Sequence, residues 1–168
     1  MALRNVVTEG DEILRKHCRE VKEITPHLVE TMKDMYETMV DSMGVGIAGP
    51  QVGVMRRIFV AQPDFEDPTK VYYMINPVLL DQSEEKEWGI EGCLSVPDMI
   101  GDVERPVWIK MEATDLEGNR NVYEFEGFDA RVMMHEYDHL DGILYTDKAK
   151  NVRDAEMDEE EYEDEEQA

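Results

Sequence analysis

The pentapeptide His135-Glu136-Tyr137-Asp138-His139 has the form H-E-x-x-H. On an α-helix, residues four apart lie about 40° from in line and about 6 Å apart along the axis. Two imidazoles so placed face one way and can share a metal ion. The glutamate beside them can then exchange protons with a water held by that ion. Two of the chain's four histidines fall in this one motif, which argues against a chance match on an exposed helix. Two imidazoles do not close a catalytic site, which usually has three protein ligands and an open position. A thermolysin-like site takes its third ligand from a glutamate on a later helix. Only 29 residues follow His139, and the last 15 are expected to be disordered, so such a ligand is hard to supply here.

Glu91-Gly92-Cys93-Leu94-Ser95 is the second signal. A lone cysteine more often behaves as a small buried hydrophobe than as a ligand. Here Gly92 removes bulk beside the sulfur and Pro97 follows closely. A thiolate at Cys93 would make a set of one Cys and two His. The third signal is Gly44-Val45-Gly46-Ile47-Ala48-Gly49-Pro50-Gln51, which matches G-x-G-x-x-G as a string. The dinucleotide motif needs a strand before it and a helix after it. A helix precedes it here, and Pro50 with Gly53 blocks a following one, so that reading fails. The plain alternative is a flexible loop. The sharper one is a backbone that approaches a substrate closely, with the Gln51 amide as a hydrogen-bond donor.

These residues need elements to carry them. Thr25-Pro26 opens a helix with a hydroxyl N-cap and proline at the first position. Leu28, Met32, Met35, Met39 and Met43 then form one stripe of core residues, and Gly44 ends the helix. Segments 57–62 and 71–76 are rich in β-branched and aromatic residues and are predicted to be strands. Segments 107–113 and 121–126 alternate about a turn at Glu117-Gly118-Asn119, a predicted hairpin. A second helix is predicted over 129–140, ending at Asp141-Gly142. Helix, several strands, then helix is not an alternating βαβ pattern. It points to an α+β fold.

The 168 residues fit one domain. Net charge is −23, with ten acids and no base from Asp154 to Ala168. That run is expected to be a solvated, disordered tail on a catalytic domain spanning 1–153. The rest holds 30 acids against 17 bases and no basic block, which argues against nucleic-acid binding as the main function. Cys18 and Cys93 are not a close-spaced pair, so no dense disulfide framework is expected. The opening MALRNVVTEGDEILRK lacks an apolar run, and the longest charge-free run, 42–55, is short and glycine-rich. No membrane span is expected, and the reading is a soluble cytoplasmic protein.

Together the three motifs resemble those of peptide deformylases, whose members carry a G-x-G-φ-A-A-P/T-Q loop, an E-G-C-L-S segment and an H-E-x-D-H helix. Gly10 to Val21 is similar to that family's opening segment, and the resemblance covers about residues 5 to 150. It implies mainly antiparallel β-sheets packed around a central helix that carries H-E-x-x-H. It implies hydrolysis of the N-formyl group from the N-terminal methionine of nascent proteins. Cys93, His135 and His139 would bind one divalent ion. That ion is usually ferrous iron, though zinc, nickel and cobalt also suit these ligands. Glu136 would be the general base and acid. Gln51 and the Leu94 N–H would hold the oxyanion. Gly46 would line the peptide groove and Val45 would border the methionine pocket.

The chain departs from the family pattern at several places. Gly49 replaces the second alanine of the first motif and is expected to loosen that loop. Met134 stands where many relatives have glutamine. Ile100 lies near where many carry a peptide-touching arginine, and Arg105 is the candidate to take over that contact. In some relatives a basic C-terminal helix docks on the ribosome; an acidic ending does not suit that mode. Two other readings compete: an H-E-x-x-H metallopeptidase, and a catalytically silent relative that binds metal or peptide.

Overall fold

In the computed structural model, residues 2–158 are described. Helix α1 spans Pro26–Asp41, with the Thr25 hydroxyl accepting from the Leu28 N–H at 3.1 Å. Met32, Met35 and Met39 are buried as the stripe requires. The helix stops earlier than the expected end at Gly44, because Met43 takes a left-handed φ of 56°. That turn throws Met43 out of the stripe and leaves it 92% exposed.

Five strands form one antiparallel sheet: β1 (Gly46–Ala48), β2 (Ile58–Ala61), β3 (Tyr72–Gln82), and two later strands, β6 (Trp108–Thr114) and β7 (Arg120–Glu126). Their order is β1-β2-β3-β6-β7. Between them in sequence come β4 (Lys86–Cys93) and β5 (Val96–Pro106), which pair with β8 (Lys150–Asp154) in a second antiparallel sheet, β4-β5-β8. Helix α2 spans Gly127–His139. Its Ala130, Met133 and Met134 enter a core with Phe59, Met74 and Met111 from the five-stranded sheet. The arrangement is α+β, with antiparallel sheets around a central helix, as expected.

Three differences from the sequence reading have physical causes. Strand β3 runs on past Asn76 and through Pro77 because the register shifts between Ile75 and Val78. Proline is tolerated at such a bulge. Asn76, at φ 50°, seals it by accepting from the Val21 N–H and donating to its carbonyl, both at 2.8 Å. The segment read as a loop holds strand β1, three residues paired with Phe59–Ala61. Asp154 closes β8 opposite Met99, so a strand crosses the expected boundary at 153, and 155–158 are helical. The rest of the expected acidic tail, 159–168, lies outside the described residues.

Gly49 does not loosen its loop. It is buried, and a Cβ there would lie 2.5 Å from the Val54 carbonyl oxygen and 2.9 Å from that of Arg56. Backbone oxygens cannot step aside as a side-chain tip can. Gly49→Ala is expected to cost about 1–3 kcal/mol through overpacking. At this chain length that lowers the thermal midpoint by roughly 2–4 °C for each kcal/mol. Calorimetry checks it, and an unchanged midpoint would contradict the close packing.

Candidate metal centre and active site

The H-E-x-x-H residues lie in the last two turns of α2, and the His135 and His139 ring centroids are 5.1 Å apart. Cys93 ends β4, one residue before the tight turn Leu94-Ser95 that leads into β5. The turn brings the Cys93 Sγ within 3.4 Å of His139 Nε2. Donor atoms of Cys93, His135 and His139 all lie within 4.8 Å of one another. Metal–sulfur bonds of about 2.3 Å and metal–nitrogen bonds of about 2.1 Å, held tetrahedrally, put S and N about 3.5 Å apart. The donor set therefore fits one divalent ion. Cys18 takes no part: it packs in the core with Leu140, and burial pushes its thiol up to about 11.

Glu91 fixes the His135 ring. Its Oε1 lies 2.8 Å from His135 Nδ1. A carboxylate there requires the proton on Nδ1 and leaves Nε2 free for an ion. Burial alone would raise the Glu91 pKa. Hydrogen bonds and charge from Arg105 and His135 prevail and hold it well below the usual carboxylate range. Arg105 grips Glu91 with two bonds of 2.9 Å and reaches Asp138 at 2.7 Å, where Lys148 also pairs at 3.0 Å. This corrects the expectation for Arg105: it is 2% exposed and committed to these carboxylates, so it does not face a peptide. Ile100 sits across from Gly92 on β5, and Met134 is part of the core.

Glu136 is 2% exposed, and its Oε2 has no hydrogen-bond partner among the described residues. A buried oxygen left alone costs about 1–3 kcal/mol, so the position suits a water or substrate group. Burial pushes the Glu136 carboxyl up to about 7, against the opposing pull of His135. Gly46 has no side chain because a Cβ would come within 2.8 Å of the Glu136 Cγ. The bare strand β1 thus presses directly on the acid.

Gln51 sits in a 3-10 turn, Gly49–Val52, closed by Gly53 at φ 79°. Its Oε1 accepts from the Ala48 N–H at 2.8 Å, which aims Nε2 at Ser95 Oγ (3.1 Å) and Cys93 Sγ (3.5 Å). The Leu94 side chain packs over Gly44, where a Cβ would meet it at 3.0 Å. The N-terminal segment ties both turns together: Val7 N–H donates to the Gln51 carbonyl and Glu9 N–H to that of Ser95, each at 2.7 Å. A cavity of about 340 Å³ opens here, lined by Val45, Gly46, Gln51, Cys93, Leu94 and Glu136 among others. His135 also lines it, while His139, 1% exposed, is not among the lining residues and joins the site through its 3.4 Å approach to Cys93 Sγ. The structure thus brings all the sequence-derived candidates to one place.

Sequence reasoning missed Glu91, Arg105, Arg131, Asp138 and Ser95 as parts of this centre. A signal existed for Glu91. Alternate residues of a strand share a face, so a carboxylate two before a candidate ligand cysteine lies on the same side of the strand, where Glu91 meets the His135 ring.

Residues 3–155 match the sequence profile of the family described as Polypeptide deformylase. The chain belongs to that family. A peptide deformylase of Finegoldia magna is 46% identical over 157 residues, covering 94% of this chain and 96% of that one. Solved deformylases have the same fold. The one from Thermotoga maritima has a TM-score of 0.84 at 36% identity, covering 88% of this chain and 98% of its own. That from Synechococcus elongatus, in complex with actinonin, has a TM-score of 0.85 at 34% identity, covering 88% and 81%. Deformylase membership favours formamide hydrolysis over the metallopeptidase reading. Among the described residues, no deformylase helix here is long and apolar enough to cross a membrane.

Proposed function

We propose that this chain removes the formyl group from the N-terminal methionine of newly made proteins and releases formate. One observation carries the reading. A thiol and two imidazoles converge beside a cavity that Cys93 and His135 line, with the buried Glu136 carboxylate next to them. Cys93, His135 and His139 would hold one divalent ion, ferrous iron by preference, with zinc, nickel and cobalt compatible. When bound, the ion acidifies a water and polarises the formyl carbonyl.

The chain's own groups do the rest. Glu136 takes a proton from the attacking water, whose oxygen bonds to the formyl carbon. Gln51 Nε2 and the Leu94 N–H donate to the carbonyl oxygen as it gains negative charge. Glu136 then gives its proton to the amine nitrogen as the C–N bond breaks. Formate and a free N-terminus leave. A carboxyl with a pKa raised toward 7 can serve in both directions.

Strands β1 and β4 are both sheet edges, and both border the cavity. Edge backbone can pair with an extended peptide. This suits a nascent chain held between Gly46 and Gly92, with Val45 beside the methionine side chain. The catalytic unit extends through β8, which ends at Asp154, and works in the cytoplasm.

The test is formate release from formyl-Met-Ala-Ser by anaerobically loaded protein. Formate and a new amine are expected in equal amounts, with acetyl-Met-Ala-Ser and internal peptide bonds left uncut. Gln51→Leu is expected to lower kcat by about 10²–10³. Internal cleavage, or full turnover in Gln51→Leu, would count against the reading.

A further inference from the structure

A buried guanidinium one helical turn before His135 occupies the space where a Gly89 side chain would go. Arg131 is 9% exposed. Its Nη1 donates to Glu91 Oε2 and to the Val103 carbonyl, both at 2.8 Å, and its Nη2 to the Glu87 carbonyl at 3.0 Å. A Cβ on Gly89 would lie 2.7 Å from Arg131 Cζ, 2.8 Å from Nη2 and 2.9 Å from Nε.

The Glu91 carboxylate has a full set of donors. Oε1 takes His135 Nδ1 and Arg105 Nη2; Oε2 takes Arg105 Nε and Arg131 Nη1. A carboxylate has about four acceptor sites, so none is left over. Arg131 and His135 are four apart on α2 and emerge on one face. Both reach the same carboxylate, which closes a ring from the helix to β4 and back. Gly89 lies two residues before Glu91 on that strand, on the same side, and must be bare to admit the guanidinium.

We infer that Arg131 and Gly89 are a matched pair that locks Glu91 and, through it, sets the His135 ring for the ion. Arg131 is thereby a positioning residue. The inference rests on the proposed ligand role of His135. Its consequence is a coupling between two substitutions. Gly89→Ala displaces the guanidinium, the far end of a flexible side chain, and so frees Glu91 as Arg131→Met does. With the guanidinium already gone, the three atoms that would crowd the alanine most closely are gone with it.

The experiment titrates cobalt(II) into the metal-free full chain against a competing chelator and records the visible spectrum at saturation. Losing an outer partner of a metal-bound histidine typically weakens metal binding about 10–100-fold. Arg131→Met and Gly89→Ala are each expected to weaken cobalt binding about 10-fold and to shift the cobalt bands. The double variant should match Arg131→Met alone, a non-additivity that independent packing defects would not give. Wild-type affinity and spectrum in both single variants would overturn the inference. So would a double variant whose loss is the product of the two single losses. If Arg131→Met folds poorly by circular dichroism, Gly89→Ala decides alone, by the same affinity and spectrum. Cys93→Ala in the same titration separates the two readings. Undiminished binding there overturns the ligand set. Lost binding there, with wild-type behaviour in the paired variants, overturns only the pair.

Discussion

Glu136→Gln is expected to keep the ion and lose nearly all turnover. The two side chains have the same shape, so the contact of Gly46 with the Glu136 methylene survives. Glutamine cannot take a proton from water or return one to the amine. Positioned acid–base groups contribute about 10²–10⁴ in rate, and a loss of that size in kcat is expected with little change in KM. The pH profile adds a second check. The carboxylate form is the base, and burial sets the free carboxyl at about 7. A nearby dication favours the ionised form. In the loaded protein kcat/KM therefore rises with pH along an acid limb lying below that value. Glu136→Gln is expected to lose that limb. Metal analysis and formate release together decide the matter, and full activity in Glu136→Gln would remove Glu136 from the chemistry.

Cys93→Ala is expected to lose the ion. Outer partners of a ligand are worth about 10–100-fold in metal affinity, and a direct ligand is worth more, so a drop beyond about 100-fold is expected. Gln51 Nε2 also faces this sulfur at 3.5 Å, so the amide loses a neighbour at the same time. Equal metal content in wild type and Cys93→Ala after desalting would take the cysteine out of the site. Acid should mimic the substitution. Ligation needs a thiolate and neutral imidazoles, so lowering the pH protonates the donors and releases the ion.

The chemistry was more legible in the sequence than the scaffold that aims it. Ligand spacing on a helix is local, so His135, Glu136 and His139 could be read directly. Cys93 and Gln51 announced themselves only through their neighbours. Their meeting depends on two turns tied by Val7 and Glu9, a tertiary fact with no local signature. The hairpin β6–β7 alternates cleanly and was predicted to within a residue at each end. Strands β4 and β5 were not read as strands. Glycines at 89, 92 and 101 and charged residues at 86, 87, 98, 102 and 104 hide their alternation. Gly89 is bare to admit Arg131, and Gly101 because a Cβ would meet the Ala149 Cβ at 2.9 Å. Arg105 shows the converse. Its type suggested a peptide contact, and burial among carboxylates gave it another task. A charged side chain's partners are set by what folds around it, and a single sequence does not show that.

X-ray absorption at the metal edge of anaerobically purified protein tests the central claim most directly. The expected spectrum reports about one ion per chain, bound by one sulfur near about 2.3 Å and nitrogens near about 2.1 Å. A fully loaded protein whose ion has no sulfur neighbour would contradict it.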